Sequence, residues 1–156
     1  MKEAIFGAGC FWGVESKFRT VKGVIDTEVG YTGGTTANPT YKDVCTDKTG
    51  HAEVVKVTYD PSIVSYEELL EFFWGIHNPT TPNRQGWDVG TQYRSAVFYL
   101  DEEQRLAAKT LKDIIDKSGK YKKPIVTEIV PAMEFYRAEE YHQRYHEKNK
   151  RSSCTF

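Results

Sequence analysis

Apolar and polar residues alternate twice along this chain with the two-residue period of a half-buried strand. Over residues 24–31 the alternation places Ile25, Thr27, Val29 and Tyr31 on one face, with Asp26 and Glu28 on the other. Over residues 52–60 it places Glu53, Val55, Val57 and Tyr59 together, and Asp60-Pro61 ends the run. Residues 2–8 predict a short buried strand through Ala4, Ile5 and Phe6, ending at Gly7. Phe11, Val14 and Phe18 share one face of a helix over 11–20, which Lys22-Gly23 stops. Ser65 and Glu68 form a capping-box pattern that opens a helix running to about Ile76. A strand over 94–100 follows. Asp101 then caps a helix ending before Gly119, with Leu106, Leu111, Ile114 and Ile115 facing the core. Residues 125–130 read as a last strand, and Ala138 to about Asn149 as a terminal helix. Two long loops remain, 31–50 and 77–92. The order β-α-β-β-α-β, then α-β-α, predicts an α+β fold. Its expected form is a ferredoxin-like two-layer sandwich: a mainly antiparallel mixed sheet with packed helices and long loops. Residues 1–156 read as a single domain, with 147–156 a short C-terminal tail.

Charge narrows the partners. Lys and Arg number 21 against 22 Asp and Glu, for a net charge of −1, so the expected partners include no nucleic acid and no membrane. The N-terminus is too short and charged for a signal peptide, and no apolar run could span a bilayer. The expectation is a cytoplasmic monomer. Three cysteines are too few and too scattered for a secreted disulfide framework, and their odd number leaves at least one thiol unpaired. Of ten Tyr, eight Phe and three Trp, much lies near glycines and prolines rather than inside periodic segments, and aromatics in loops usually line something.

Cys10 is the first candidate for chemistry. It lies in Gly9-Cys10-Phe11-Trp12-Gly13, at the predicted start of a helix, where unpaired amide N–H groups and the macrodipole favour a thiolate. The competing reading is a cysteine packed as a small hydrophobe. Glu53 shares a face with Val55 and Val57. Burial there would keep its carboxyl protonated and able to act as an acid, unless it reaches solvent from the strand end. Tyr31, Tyr41 and Tyr93 stand in or beside loops, and their hydroxyls could donate to a developing oxyanion or merely pack. Cys154 follows Lys150 and Arg151 in a polar tail able to carry a second sulfur to a distant partner; the alternative is an incidental terminal cysteine. Cys45 reads as a packed core or loop thiol. His142 and His146 have metal-ligand spacing, but no HExxH pattern accompanies them and their segment is highly charged, so they read as a solvated face and no metal is expected.

The pentapeptide around Cys10 resembles the active-site signature of peptide methionine sulfoxide reductase A. Further blocks follow in that family's order: Val29-Gly30-Tyr31-Thr32-Gly33-Gly34, Asn38-Pro39-Thr40-Tyr41, Gly50-His51-Ala52-Glu53-Val54-Val55, Asn83-Arg84-Gln85-Gly86 and Asp88-Val89-Gly90-Thr91-Gln92-Tyr93-Arg94-Ser95. Ala138-Glu139 and Tyr141-His142-Gln143 complete the match near the end. The resemblance implies a role for each position. Cys10 would attack the sulfoxide sulfur, and Phe11 and Trp12 would form the pocket for its methyl group. Glu53 would protonate the sulfoxide oxygen with help from Tyr41 and Tyr93. Asp88 would hold the substrate through its backbone N–H. The substrate would be methionine-S-sulfoxide, free or in proteins. A sulfenic acid on Cys10 would be resolved by Cys154 as a disulfide, then recycled by thioredoxin or another dithiol, with no bound cofactor.

The chain also departs from the family pattern. It stops at Phe156, so the glycine-rich tail and second resolving cysteine of many members are missing, which implies a two-thiol cycle. Trp87 stands where a smaller or polar residue is common, Arg137 where proline is common, and Asp47 where glycine is frequent. Three rival readings remain: a thiol peroxidase using Cys10 and Cys154 without Glu53 as acid, an aromatic sheet that stacks single-stranded nucleic acid, and a module that binds oxidised methionine without turnover.

Overall fold

The computed structural model describes residues 1–149. The chain forms β1 (Lys2–Ala8), α1 (Phe11–Phe18), β2 (Val24–Thr32), α2 (Tyr41–Cys45), β3 (Ala52–Tyr59) and α3 (Tyr66–Gly75). It continues through β4 (Arg84–Gln85), β5 (Asp88–Val89), β6 (Ser95–Tyr99), α4 (Glu102–Lys117), β7 (Glu128–Pro131), β8 (Tyr136–Arg137) and α5 (Tyr145–Lys148). The fold is α+β. Its main sheet has the order β7-β6-β1-β3-β2-β8, and every pairing is antiparallel except β6 with β7.

Both faces of this sheet are covered. On one, Phe6 from β1 stacks against Phe18 of α1 and Phe73 of α3, with ring centroids 5.2 and 5.1 Å apart. Burying such rings supplies much of the driving force, each on the order of 2–3 kcal/mol. Val55, Val57 and Tyr59 of β3 share this face, as their alternation requires. On the other face Ile5, Ala52, Val54, Ala96 and Phe98 lie beneath Ala132 and Phe135 from the β7–β8 connection. A neutral relay ties α3 to the sheet: Trp74 Nε1–H donates to Thr127 Oγ1 (3.0 Å), which is 2.7 Å from Ser95 Oγ. Ser95 Oγ in turn lies 2.7 Å from His77 Nε2. His77 Nδ1 lies 2.7 Å from the Phe73 carbonyl, which can only accept, so Nδ1 carries the proton. Burial holds the His77 pKa down to about 4.

Several expectations need correction. The β2–β3 register shifts between Val24 and Asp26, and that irregularity turns Ile25 out to solvent while Thr27, Val29 and Tyr31 stay buried. In α4 the inward stripe is Gln104, Ala108, Leu111 and Ile115, whereas Leu106 and Ile114 are exposed. Gln104 can be buried because its Nε2 donates to the Glu3 carbonyl and its Oε1 accepts from the Leu100 N–H. The expected terminal helix over 138–149 is instead a 3₁₀ turn at Glu140–His142 followed by the short α5. Arg144, in the left-handed region at φ 52°, separates the two. Finally, the two long loops hold structure. Thr40 and Asp43 cap α2 reciprocally, and β4 and β5 form a hairpin turning at Gly86-Trp87.

Candidate active site

The site is built where β1 hands over to α1. Gly9 takes φ 101°, a conformation that favours glycine, and Cys10 becomes the N-cap of α1. The sulfur-bearing residue therefore sits beside the first-turn amides, where a thiolate is stabilised. The pairing of β1 with β3 sets what faces it. Phe6 lies opposite Val55, so Glu53, two residues along β3 on the same face, arrives at the junction. Its Oε1 accepts the N–H of Phe11 at 3.1 Å. Its Oε2 is buried with no hydrogen-bond partner. Burial pushes the Glu53 pKa up to about 8; the Phe11 N–H opposes this weakly, and the nearby charge of Asp88 adds to it. The carboxyl is thus neutral at pH 7, and with Oε1 accepting, Oε2 is the oxygen that holds the proton.

Two tyrosines stand close enough to feel the Glu53 charge. Tyr41 opens α2, and Tyr93 ends a 3₁₀ turn over Thr91–Tyr93. Burial first, and Glu53 second, raise both hydroxyl pKa values, so both remain donors. Cys10, Trp12, Tyr41, Asp88 and Tyr93 line one open cleft of about 1470 Å³. Partial burial also raises the Asp88 pKa. Phe11 does not line the cleft. Its ring is buried against Tyr31 and His142, and its backbone N–H is what reaches Glu53. The hydroxyl of Tyr31 is already used, donating to Glu139 Oε1 at 2.9 Å. Glu139 Oε2 accepts the amide of Tyr41 at 2.9 Å and so fixes the start of α2. Burial pushes the Glu139 pKa up, but these hydrogen bonds outweigh it and leave the net shift downward.

The residues that the sequence left unassigned mostly come from 138–149. His142 is fully buried, which corrects its reading as part of a solvated face. Its Nδ1 accepts the indole N–H of Trp12 at 2.8 Å, while Tyr145 stacks on the same indole with centroids 3.7 Å apart. The Tyr41 ring lies 4.5 Å from the imidazole, so one histidine braces two walls of the cleft. Gln143 is also buried. Its Oε1 accepts the Val29 N–H, and its Nε2 donates to the carbonyls of Val29 and Ala138, each at 2.9 Å. Glu15 of α1 accepts from Thr27 Oγ1 (2.8 Å) and from the Arg144 N–H (2.7 Å). Asp47, at φ 64°, explains why glycine would suit its position. Its carboxylate accepts both the amide and the hydroxyl of Thr91, which anchors the turn carrying Tyr93. Apart from the i,i+4 spacing of His142 with His146, the sequence signal for His142, Gln143 and Glu139 was their place in the matched blocks. The signal for α2 was Thr40-x-x-Asp43, a capping pattern inside an apparent loop.

Cys45 is exposed at the end of α2 and shares a hydrogen bond with Tyr41. Partial burial of its sulfur raises the thiol's pKa even so. Cys154 lies outside the described residues. No helix among the described residues is long and apolar enough to cross a membrane.

The model of the family described as peptide methionine sulfoxide reductase matches residues 2–156. The peptide methionine sulfoxide reductase MsrA of Methanoculleus marisnigri is 59% identical over 154 residues, covering 99% of this chain and 94% of that protein. The reduced form of Mxr1 from Saccharomyces cerevisiae superposes with a TM-score of 0.93 at 38% identity, covering 99% of this chain and 88% of that one. A second structure of Mxr1, in complex with Trx2, matches with a TM-score of 0.66 at 26% identity, covering 99% and 86%. With a full-length family match and relatives this close, the chain belongs to the peptide methionine sulfoxide reductase family.

Proposed function

We propose that this protein reduces methionine-S-sulfoxide, free or within proteins, to methionine, with Cys10 as the nucleophile and Glu53 as the acid. One observation carries the reading: a buried, neutral carboxyl accepts the N–H of Phe11, the residue that follows Cys10, and keeps its second oxygen unpartnered. Sulfoxide oxygen leaves sulfur only when it is protonated, so a thiolate and an acid are needed together at neutral pH. The Cys10 thiolate attacks the sulfoxide sulfur while Glu53 gives its proton to the oxygen. Tyr41 and Tyr93 donate to that oxygen as charge builds. The oxygen leaves with the Cys10 sulfur as a sulfenic acid, methionine departs, and Glu53 is left as a carboxylate to be reprotonated. Trp12 supplies the apolar wall for the methyl group, with the Phe11 ring packed behind it. Asp88 holds the substrate through its backbone N–H.

Recycling is assigned to Cys154. Its thiol condenses with the sulfenic acid, a Cys10–Cys154 disulfide forms, and water is released. A thioredoxin-like dithiol then reduces the disulfide by exchange, an assignment that the complex of yeast Mxr1 with Trx2 supports. Residues 1–156 act in this reading as one domain, 147–156 as its short tail, in a reducing, cytoplasmic setting. The strand order β6-β1-β3-β2, with antiparallel neighbours, supports a ferredoxin-like split βαβ centre.

Mass spectrometry after reaction with methionine-S-sulfoxide tests the cycle. The parent is expected to yield one methionine and a Cys10–Cys154 disulfide. The variant Cys154→Ser should still yield one methionine but keep an oxidised Cys10, and thioredoxin should no longer sustain turnover. A Cys10–Cys45 disulfide, or equal steady-state rates for parent and variant, would remove Cys154 from the cycle.

A further inference from the structure

The cleft is much longer than a methionine side chain. One wall follows α1 from Cys10 at its N-cap to Thr20 just past its end. Ten residues of helical rise make that wall about 15 Å long, enough for roughly four extended residues. The lining continues through Phe72 of α3, whose ring meets Phe18 of α1 edge-on at 5.1 Å, to the segment Tyr121–Lys123. Tyr121 pins this segment in place by donating its hydroxyl to the Trp74 carbonyl near the end of α3 (3.3 Å).

Charge is distributed unevenly along this path. Asp88 is the only acidic residue among the described residues lining the cleft, and it sits at the reacting end near Glu53. Lys122 and Lys123 are both exposed, and neither makes an ion pair within the described residues. Trp87, 96% exposed at the turn of the β4–β5 hairpin, also lines the cleft.

We infer that the cleft takes methionine sulfoxide within an extended peptide, and that Lys122 and Lys123 favour acidic residues flanking it. The inference rests on the sulfoxide reductase reading above and adds a substrate class to it. Cation and carboxylate meet here at a partly enclosed surface, so the gain is modest and depends on salt. Trp87 packs against the flanking peptide and adds contact without reading charge. A single amino acid cannot span a cleft that runs beside ten residues of helix, so free methionine sulfoxide escapes the selection.

The test uses three peptides with a central methionine-S-sulfoxide, carrying Glu, Gln or Lys pairs three and four residues to either side. Free methionine sulfoxide is the fourth substrate. For the parent, kcat/KM should rank Glu above Gln above Lys, with Glu about five-fold above Lys at low salt and the gap closing as salt rises. In the double variant Lys122→Glu, Lys123→Glu the ranking should invert. Equal kcat/KM for the Glu and Lys peptides, or a preference that survives the charge reversal, would overturn the inference and leave the reductase reading standing. If no sulfoxide is reduced at all, the reductase reading fails and this inference fails with it.

Discussion

Two buried glutamates meet α1, Glu53 at its N-terminal end and Glu15 within it, and the two differ in how fully they are satisfied. At the N-terminal end Glu53 accepts one amide and leaves Oε2 without a partner. Nearer the C-terminal end Glu15 accepts from Thr27 with one oxygen and from Arg144 with the other, with the cations of Arg19 and Arg144 nearby. Both carboxyls are 1% exposed and both have pKa values raised chiefly by burial. Burial therefore does not separate the proposed acid from the structural carboxyl; incomplete satisfaction does. Glu15 spends its hydrogen-bonding capacity on joining α1 to β2 and to the segment after His142. Glu53 keeps one oxygen unused, which is what the proposed acid requires.

Substitutions at the two glutamates should separate along that line. Glu53→Gln keeps the size and an acceptor for Phe11 but cannot release a proton. It should lower kcat by about 100-fold. The parent's activity should also fall as pH rises through about 8, where Glu53 loses its proton, and the variant should lack that limb. A variant with parent-like kcat at pH 7 would put the acid elsewhere.

The next effect is on stability. Glu53 holds its proton more tightly in the folded protein than in the unfolded chain, whose carboxyl titrates near the ordinary value of 4.5. Between about pH 4.5 and 8 the folded state therefore binds more protons, and stability falls as pH rises through that window. The loss is on the order of a few kcal/mol, complete above pH 8, where both states are ionised. Urea unfolding across this window should show the decline in the parent and a flatter profile in Glu53→Gln. A parent whose stability is flat or rising there would contradict the neutral buried acid.

The smallest effect belongs to the other glutamate. Glu15→Ala strands the Thr27 hydroxyl and the Arg144 N–H and should cost about 2 kcal/mol of stability. At a temperature where the variant is folded, its kcat should stay within about threefold of the parent. A hundred-fold loss of kcat there would erase the distinction between the two carboxyls.

How far the site was legible follows from the range of its contacts. The placement of Glu53 on the Val55 face needed only the parity of β3, which five consecutive residues display. Cys10 at a helix start needed only the flanking glycines and the apolar spacing after it. His142 was not legible in this way, because its partner Trp12 lies 130 positions away and its neighbours in sequence are charged. Glu139 meets Tyr31 across 108 positions for the same reason. The polarity of residues 138–149 suggested a solvated helix, but Glu139 and Gln143 complete backbone groups on other elements, and His142 accepts an indole N–H. The bulge in β2 and the inward stripe of α4 depended on which neighbour each element met, which local periodicity does not encode.

Gln143 has a consequence for how copies of this protein meet one another. The outer edge of β2 is covered by β8 only at Gly30 and Tyr31. At Val29, the next residue along, the Gln143 amide takes up both the N–H and the carbonyl, as a paired strand would. Further along, Glu28 is bridged to Arg137 and Asp26 to Arg144. A bare edge of this length would be a template for strand addition and for aggregation through stacked sheets. One glutamine and two surface cations occupy that edge without adding another strand, which leaves less bare backbone for a second copy to pair with.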